Sequence, residues 1–192
     1  NPHMLDFAER VMGPFVQLDS FEITGFSSRP AEQFNGVAEW HRDAFNYSDM
    51  WANHPSSAHF NPHPYTAPTA CKCLTYLQDM TAESGALRVV PGSHLDFSHI
   101  PASERSQPHP RETLIELAAG DMVFTHNELL HAGSINTSKQ TRYFISAYVQ
   151  RIGLPHRDCF DVPAVEAICQ EAHSRNDRRT VPTVTLSSFS RV

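Results

Sequence analysis

The residues of this chain best suited to chemistry are two histidines, one aspartate and one arginine. His41 and Asp43 stand in the stretch WHRD, His131 in LLHAGS and Arg142 in TRYF. Two imidazoles and one carboxylate can hold a divalent iron on one face and leave the opposite positions open, as in non-haem iron oxygenases. The planar guanidinium of Arg142 is suited to binding a carboxylate through two parallel hydrogen bonds. The set therefore predicts a metal site accompanied by a carboxylate-binding arginine.

Each part of this set is a weak signal when it is read alone. His-x-Asp pairs match often by chance, and a single histidine such as His131 is more often a hydrogen-bonded core residue. A strand arginine more often forms a surface ion pair that contributes little stability. Here the parts occur together. Gly120-Asp121 predicts a tight turn into a strand before His131, and Asn136 and Arg142 follow His131. The combination is much rarer than its members.

Length, composition and charge limit the classes of protein to consider. The chain has 192 residues, of which 40% are hydrophobic and 19% charged, so it is long and apolar enough for one globular domain. A net charge of −6 disfavours nucleic acid or an anionic membrane as partner. The first residues contain acids where a secretory signal would be basic and then apolar. We expect a cytoplasmic protein with reduced cysteines that acts on a small molecule, and nothing in the sequence specifies an oligomeric state.

The pattern of apolar and turn residues predicts a mainly β protein. Leu5, Ala8 and Val11 share a face, which predicts a helix over Met4 to Val11, and a second helix is expected over Val162 to His173. Short segments bounded by Gly, Pro or polar residues are predicted strands. These are Val16 to Ile23, Gly36 to Asp43, Thr69 to Leu77, Ala86 to Val90, Thr113 to Leu117, Asp121 to Thr125 and Arg142 to Val149. Such strands with little helical periodicity between them favour a sandwich or barrel with jelly-roll character.

This arrangement of strands predicts how the polar residues meet. If Gly36 to Asp43 is a strand, His41 and Asp43 leave the same face, because side chains two residues apart point the same way. His131 would arrive from a later strand or turn of the opposite sheet. Arg142 would share its strand face with Phe144 and Ser146, among which a buried guanidinium requires an anion.

Four sequence blocks carry a family resemblance. They are WHRD, SGALRVVPGSH, AAGDMVFTHNELLHAGSIN and TRYFISAYVQR, and they run from Trp40 to Arg151, over half of the chain. These blocks resemble the phytanoyl-CoA dioxygenase family of iron(II)- and 2-oxoglutarate-dependent oxygenases. The resemblance implies a double-stranded β-helix fold, jelly-roll or cupin-like, with a few flanking helices, in a single domain over residues 1–192.

The same resemblance implies a site and a reaction. His41, Asp43 and His131 would be iron ligands, and Arg142 would bind the distal carboxylate of 2-oxoglutarate. With dioxygen, such a site oxidises a C–H bond of a small organic substrate and releases succinate and carbon dioxide. Asp43 keeps the carboxylate that related halogenases replace by a small residue, which favours hydroxylation over halogenation.

Three departures from the family pattern matter. Leu74 stands where family members often place a tryptophan beside the cosubstrate, so Leu74 is expected to line the cosubstrate site. Gly133 stands where a serine is common, two residues after His131. The chain also begins unusually close to the His-x-Asp motif for this family, which leads us to expect that an N-terminal segment is absent.

Residues that would contact the substrate are less specified. Arg88, on the predicted strand Ala86 to Val90, is a candidate for holding an anionic substrate group, although a solvated strand arginine explains it equally well. A loop rich in Pro, Asn and Ser contains His54, His59 and His63 and is either a substrate lid or a surface connection.

Two other classes of protein stay open. One is a zinc-dependent hydrolase that uses the same His, Asp and His set with a metal-bound water. The other is a catalytically silent β-barrel that binds a ligand. Neither class requires an arginine placed to meet a distant carboxylate, so the sequence favours the oxygenase.

Overall fold

Seven strands and two helices make up the regular structure of the part of the chain that is described. The computed structural model describes residues 2–30, 37–43, 68, 70–95, 100–151 and 162–177. The helices are α1 (Pro2–Met12) and α2 (Val162–Ser174). The strands are β1 (Val16–Phe26), β2 (Ala70–Tyr76), β3 (Leu87–Val89), β4 (Thr113–Ile115), β5 (Met122–His126), β6 (His131–Gly133) and β7 (Arg142–Arg151). The mainly β composition predicted from the sequence is confirmed.

The strands form two sheets. One has the order β1-β7-β2-β5 and the other the order β4-β3-β6. In the smaller sheet β3 lies between two antiparallel neighbours, so that Leu87 pairs with Ile115 on one side and with Gly133 on the other. Val89 pairs with His131. This register fixes which residues of β3 share a face with His131.

The chain divides into two compact units. The first comprises residues Asn1–Glu22, Ala67–Cys73 and Ser146–Val192, and the second Ile23–Thr66 and Leu74–Ile145. In the first unit, Ala8 and Met12 of α1 are buried against Val16, Cys71 and Val149. Helix α1 ends at Gly13, whose positive φ of 97° suits a residue without a side chain, and the Gly13 amide donates to the carbonyl of Glu9.

The second unit contains two apolar clusters. One joins both sheets, because Leu74 and Tyr76 of β2 pack with Leu87 and Val89 of β3, and Phe144 of β7 packs against them. The other cluster lies around the segment that precedes Asp43. Its buried members are Val37, Trp40, Val90, Leu130 and Ala132.

The predicted strand Gly36 to Asp43 is wrong in the part that the structure describes. Residues 37–43 make only two isolated bridges, Val37 with Ser134 and His41 with His131. Four steps separate Val37 from His41 but three separate their partners, so this segment holds one extra residue, as in a β-bulge. The amide of Trp40 donates to the carbonyl of Arg105, away from β6. Residues 37–43 therefore do not form a continuous ladder of hydrogen bonds with β6.

Three further features of the sequence concern the cysteines, membrane-spanning helices and the histidine-rich loop. Cys71 and Cys73 are buried, and burial raises the pKa of the Cys71 thiol to about 11, which suits a structural role. Within the described residues, no helix is long and apolar enough to cross a membrane. Cys159 and the loop with His54, His59 and His63 lie outside the described residues.

Candidate metal centre

His41 and His131 are brought together by backbone pairing. The amide of His41 donates to the carbonyl of His131 at 2.9 Å, and the amide of His131 donates to the carbonyl of His41 at 3.0 Å. The two imidazole rings lie 4.3 Å apart between centroids and are tilted by 51°. Two histidines that are 90 positions apart in the sequence thus become neighbours through one reciprocal pair of hydrogen bonds.

Asp43 completes a cluster with the two histidines. Its carboxylate oxygens lie 3.9 Å from His41 Nε2 and 3.5 Å from His131 Nε2. One potential ligand atom from each residue lies within 4.8 Å of the other two. The His131 and Asp43 side chains are 5% and 11% exposed, whereas His41 is 51% exposed, so the cluster is buried on one side and open on another.

The hydrogen bonds of the two imidazoles suit metal binding. His41 Nδ1 lies 2.8 Å from the carbonyl oxygen of Glu39, and His131 Nδ1 lies 2.9 Å from that of Leu129. A carbonyl oxygen only accepts, so each Nδ1 must carry the proton and donate, which leaves the lone pair on Nε2. Metal-binding histidines characteristically donate their second ring N–H in this way. A donor set of two imidazole nitrogens and one carboxylate fits a divalent iron with open coordination positions.

Arg142 is a buried cation in the same unit. The residue is 7% exposed, its Nη1 donates to the carbonyl of Gly85, and its guanidinium lies 4.6 Å from the centre of the Phe26 ring and 5.9 Å from that of Phe144. Its Nε has no hydrogen-bond partner among the described residues, and no Asp or Glu among them forms an ion pair with it. Burial lowers the pKa of Arg142, and the nearby Tyr76 opposes that change.

Gly133 relates the position of Arg142 to that of His131. Arg142 Nη2 would lie 3.7 Å from a Cβ built at Gly133. Gly133 follows His131 by two residues on β6, so both face the same side at a separation of about 6.6 Å, two strand steps of about 3.3 Å. The guanidinium therefore lies on the His131 side of β6, one strand repeat away.

The other two residues named from the sequence are placed differently. Leu74 is buried in the cluster that joins both sheets, with Tyr76 and Phe144, and is 4% exposed. Arg88 pairs with Ala132 across the sheet and therefore faces away from His131. It donates through Nε to Ser134 Oγ at 2.8 Å and pairs with Glu112. The structure thus brings Arg142 towards the cluster and does not bring Arg88 there.

Gly85 and Arg42 contribute to the site, and their roles were not predicted from the sequence. Gly85 supplies the carbonyl that holds Arg142 and has a positive φ of 89°, and the SGALR block was the available signal for it. Arg42 donates through Nη1 to the carbonyl oxygens of Ser93, at 2.7 Å, and Glu128. The sequence signal for Arg42 was only its place between two candidate ligands.

This chain is similar to known dioxygenases. A model of the phytanoyl-CoA dioxygenase (PhyH) family matches residues 11–144. The Fe(II)/2-oxoglutarate-dependent dioxygenase nvfF of Aspergillus novofumigatus is 32% identical over 143 residues, which cover 74% of this chain and 41% of nvfF. The chain thus spans less than half the length of this curated relative.

Solved structures are similar as well. The non-haem α-ketoglutarate-dependent epimerase SnoN from nogalamycin biosynthesis is 26% identical with a TM-score of 0.53, over 79% of this chain and 53% of SnoN. HygX from Streptomyces hygroscopicus, solved with nickel, 2-oxoglutarate and hygromycin B, has a TM-score of 0.61 at 16% identity, over 81% of this chain and 64% of HygX. The likeness to HygX shows the fold alone. These structures have the double-stranded β-helix fold, so the fold predicted from the sequence is confirmed.

Proposed function

Because the chain belongs to the phytanoyl-CoA dioxygenase family, we propose that it is an iron(II)- and 2-oxoglutarate-dependent oxygenase. The reaction would oxidise a C–H bond of a small organic substrate with dioxygen and release succinate and carbon dioxide. The observation that carries the proposal is the convergence of one ligand atom each from His41, Asp43 and His131 within 4.8 Å.

The four candidate site residues have distinct tasks in this proposal. His41, Asp43 and His131 would hold the iron, with both histidines oriented by the carbonyls that accept their Nδ1 protons. Iron, when bound, would supply the redox chemistry that activates dioxygen. Arg142 would bind the distal carboxylate of 2-oxoglutarate through its buried guanidinium, whose burial keeps water from competing with that carboxylate.

The arginine is what favours an oxygenase over the two other classes. Removing a guanidinium from water costs several kcal/mol unless an anion compensates, on the order of the penalty for any buried ion. A dicarboxylate cosubstrate supplies that anion one strand repeat from the metal ligands. A zinc hydrolase or a silent β-barrel with the same three ligands has no need of such a cation.

Hydroxylation is the reaction type that we propose. The carboxylate of Asp43 would occupy the coordination position that halogenases leave for a halide. SnoN is an epimerase, so a similar scaffold also supports a reaction other than hydroxylation. Small-molecule substrates are supported by the nogalamycin pathway of SnoN and the hygromycin B bound to HygX. The expected cytoplasmic location stays a prediction.

Anaerobic titration with iron(II) and 2-oxoglutarate tests the proposal. Iron with chelated 2-oxoglutarate gives a weak visible charge-transfer band, whereas a zinc site gives none. We expect the band in the wild-type protein and in Arg111→Gln, whose exposed side chain bonds only to the carbonyl of Pro91 among its described contacts. Arg142→Gln should require at least roughly 10-fold more 2-oxoglutarate to develop the same band. A hydrogen bond to a charged group contributes about 1.5–3 kcal/mol. No band in any of these proteins would contradict the proposal.

A further inference from the structure

Arg42 lies between two candidate ligands, and its side chain contacts backbone groups of two other segments. Its Nη1 donates to two backbone carbonyl oxygens, those of Ser93 and Glu128. Glu128 lies three residues before His131, and Ser93 begins the short 3-10 turn Ser93–Leu95. One nitrogen of Arg42 therefore contacts two segments that are distant in sequence from its own.

The segments that Arg42 contacts are the ones that hold His131. Ser93 Oγ accepts from the amide of Leu130 at 2.8 Å, and the Val90 amide donates to the carbonyl of Leu130 at 3.0 Å. The carbonyl of Leu129, between Glu128 and Leu130, accepts the His131 Nδ1 proton. Arg42 is thus connected to the imidazole of His131 by hydrogen bonds that are linked through Ser93 and through the peptide group between Leu129 and Leu130.

Backbone pairing alone does not hold Asp43 next to His131. Val37 pairs with Ser134, the residue that follows β6, and His41 pairs with His131 of β6, which is the last bridge of the described residues 37–43. Asp43 lies two residues beyond the last bridge, yet its carboxylate has to stay within reach of both imidazoles. Arg42 lies inside this two-residue extension and makes its contacts to Ser93 and Glu128 from there.

We propose that Arg42 is a positioning residue that fastens the His41–Asp43 segment to residues 128–130 and thereby sets the geometry of the metal ligands. The inference rests on the proposed function, because it assumes that these ligands hold a divalent metal. It assigns to the residue between the ligands a task that the metal-binding motif itself does not specify.

The affinity of the apoprotein for Mn²⁺, measured by calorimetric titration, tests this inference. Arg42→Met keeps the length of the aliphatic stem and removes the donors, and we expect a loss of affinity of about 10- to 100-fold, the usual effect of removing a group that orients metal ligands. Arg42→Lys should recover part of the affinity, because one ammonium can donate to both carbonyls that Nη1 serves. Unchanged Mn²⁺ affinity in folded Arg42→Met would overturn the inference.

Three controls separate this role from others. Arg111→Met carries the same substitution at an arginine that donates to the carbonyl of Pro91, and its Mn²⁺ affinity should equal that of the wild type. Urea unfolding of each apoprotein measures stability apart from metal affinity. If Arg42→Met does not fold, Arg42→Gln keeps a donor that is too short to reach both carbonyls, and unchanged affinity in that variant overturns the inference.

Failure of the proposed function has a different signature. Asp43→Ala gives the baseline for a protein that lacks one ligand. If wild-type protein binds Mn²⁺ no better than Asp43→Ala, the metal site itself is refuted. If wild-type protein binds the ion and Arg42→Met binds it equally well, only the role of Arg42 is refuted.

Discussion

At the scale of single residues, the site depends on backbone groups as much as on side chains. The types and spacing of His41, Asp43 and His131 predicted the donor set, because few residue types bind iron. The carbonyls that orient the two imidazoles and Arg142 could not be predicted, since any residue supplies a carbonyl. Gly85 illustrates this point, because only the fold places its carbonyl against the guanidinium.

Gly85→Ala should destabilise the protein. A Cβ at Gly85 would lie 2.7 Å from the carbonyl oxygen of Ser134 and 2.9 Å from Arg142 Nη1, and the φ of 89° is strained for alanine. Such strain costs on the order of 1–3 kcal/mol. Gly133→Ala is the matched control, because its Cβ would meet neighbours no closer than 3.7 Å. Urea unfolding checks the difference, and equal stability of the two variants would contradict the account.

His126 makes the stability of the folded protein decrease as the pH falls. Burial first, and then the positive charges of His94 and Arg42, lower the pKa of His126 from 6.5 to about 4. Between these values the unfolded chain binds a proton that the folded protein does not, so stability is full above pH 6.5 and falls as the pH approaches 4.

A substitution isolates this contribution. When the pH falls from neutrality to about 5, the free energy of unfolding should decrease less in His126→Gln than in the wild type. Without the imidazole, the unfolded chain no longer binds the extra proton at this position. His173→Gln, at an exposed histidine of α2, serves as the control. The same acid-induced loss in wild type and His126→Gln would refute the assignment to His126.

At the scale of elements, periodicity predicted both helices and six of the seven described strands. It failed where pairing depends on a partner. Residues 37–43 alternate like a strand but contain one residue more than β6 can match. Strand β6 is His-Ala-Gly and lacks the β-branched and aromatic residues that favour strands, so no local pattern predicted it. These two elements carry the candidate ligands, so the site could be predicted in its chemistry but not in its backbone.

Trp40 anchors the segment that carries two of the candidate ligands. It is 2% exposed, packs with Val37 and Leu130, and donates through Nε1 to the carbonyl of Gln107 at 2.8 Å. Trp40→Ala should lower the free energy of unfolding by about 3–5 kcal/mol. Phe21→Ala, at an aromatic residue that is 49% exposed, should change it by about 0.5 kcal/mol or less. Urea denaturation compares them, and a similar loss in both variants would contradict this role.

At the scale of the whole molecule, the fold class and the family could be predicted, because ordered blocks of residues carry them. The order of strands could not. Strand β1 pairs with β7, more than 100 residues later, and such pairing is decided by packing that no local pattern reports. The single domain, the cosubstrate role of Leu74 and the substrate role of Arg88 stay predictions.

We propose that His41, Asp43 and His131 hold one iron(II) that drives 2-oxoglutarate oxidation. The most direct test measures bound iron and succinate release with iron(II), ascorbate and 2-oxoglutarate in wild type, Asp43→Ala and Asp121→Ala. Asp121 is an exposed aspartate whose carboxylate accepts only from the amide of Ala118 among its described contacts. We expect wild type and Asp121→Ala to bind one iron per chain and to release succinate, and Asp43→Ala to do neither. Iron binding and succinate release by Asp43→Ala at wild-type levels would contradict it.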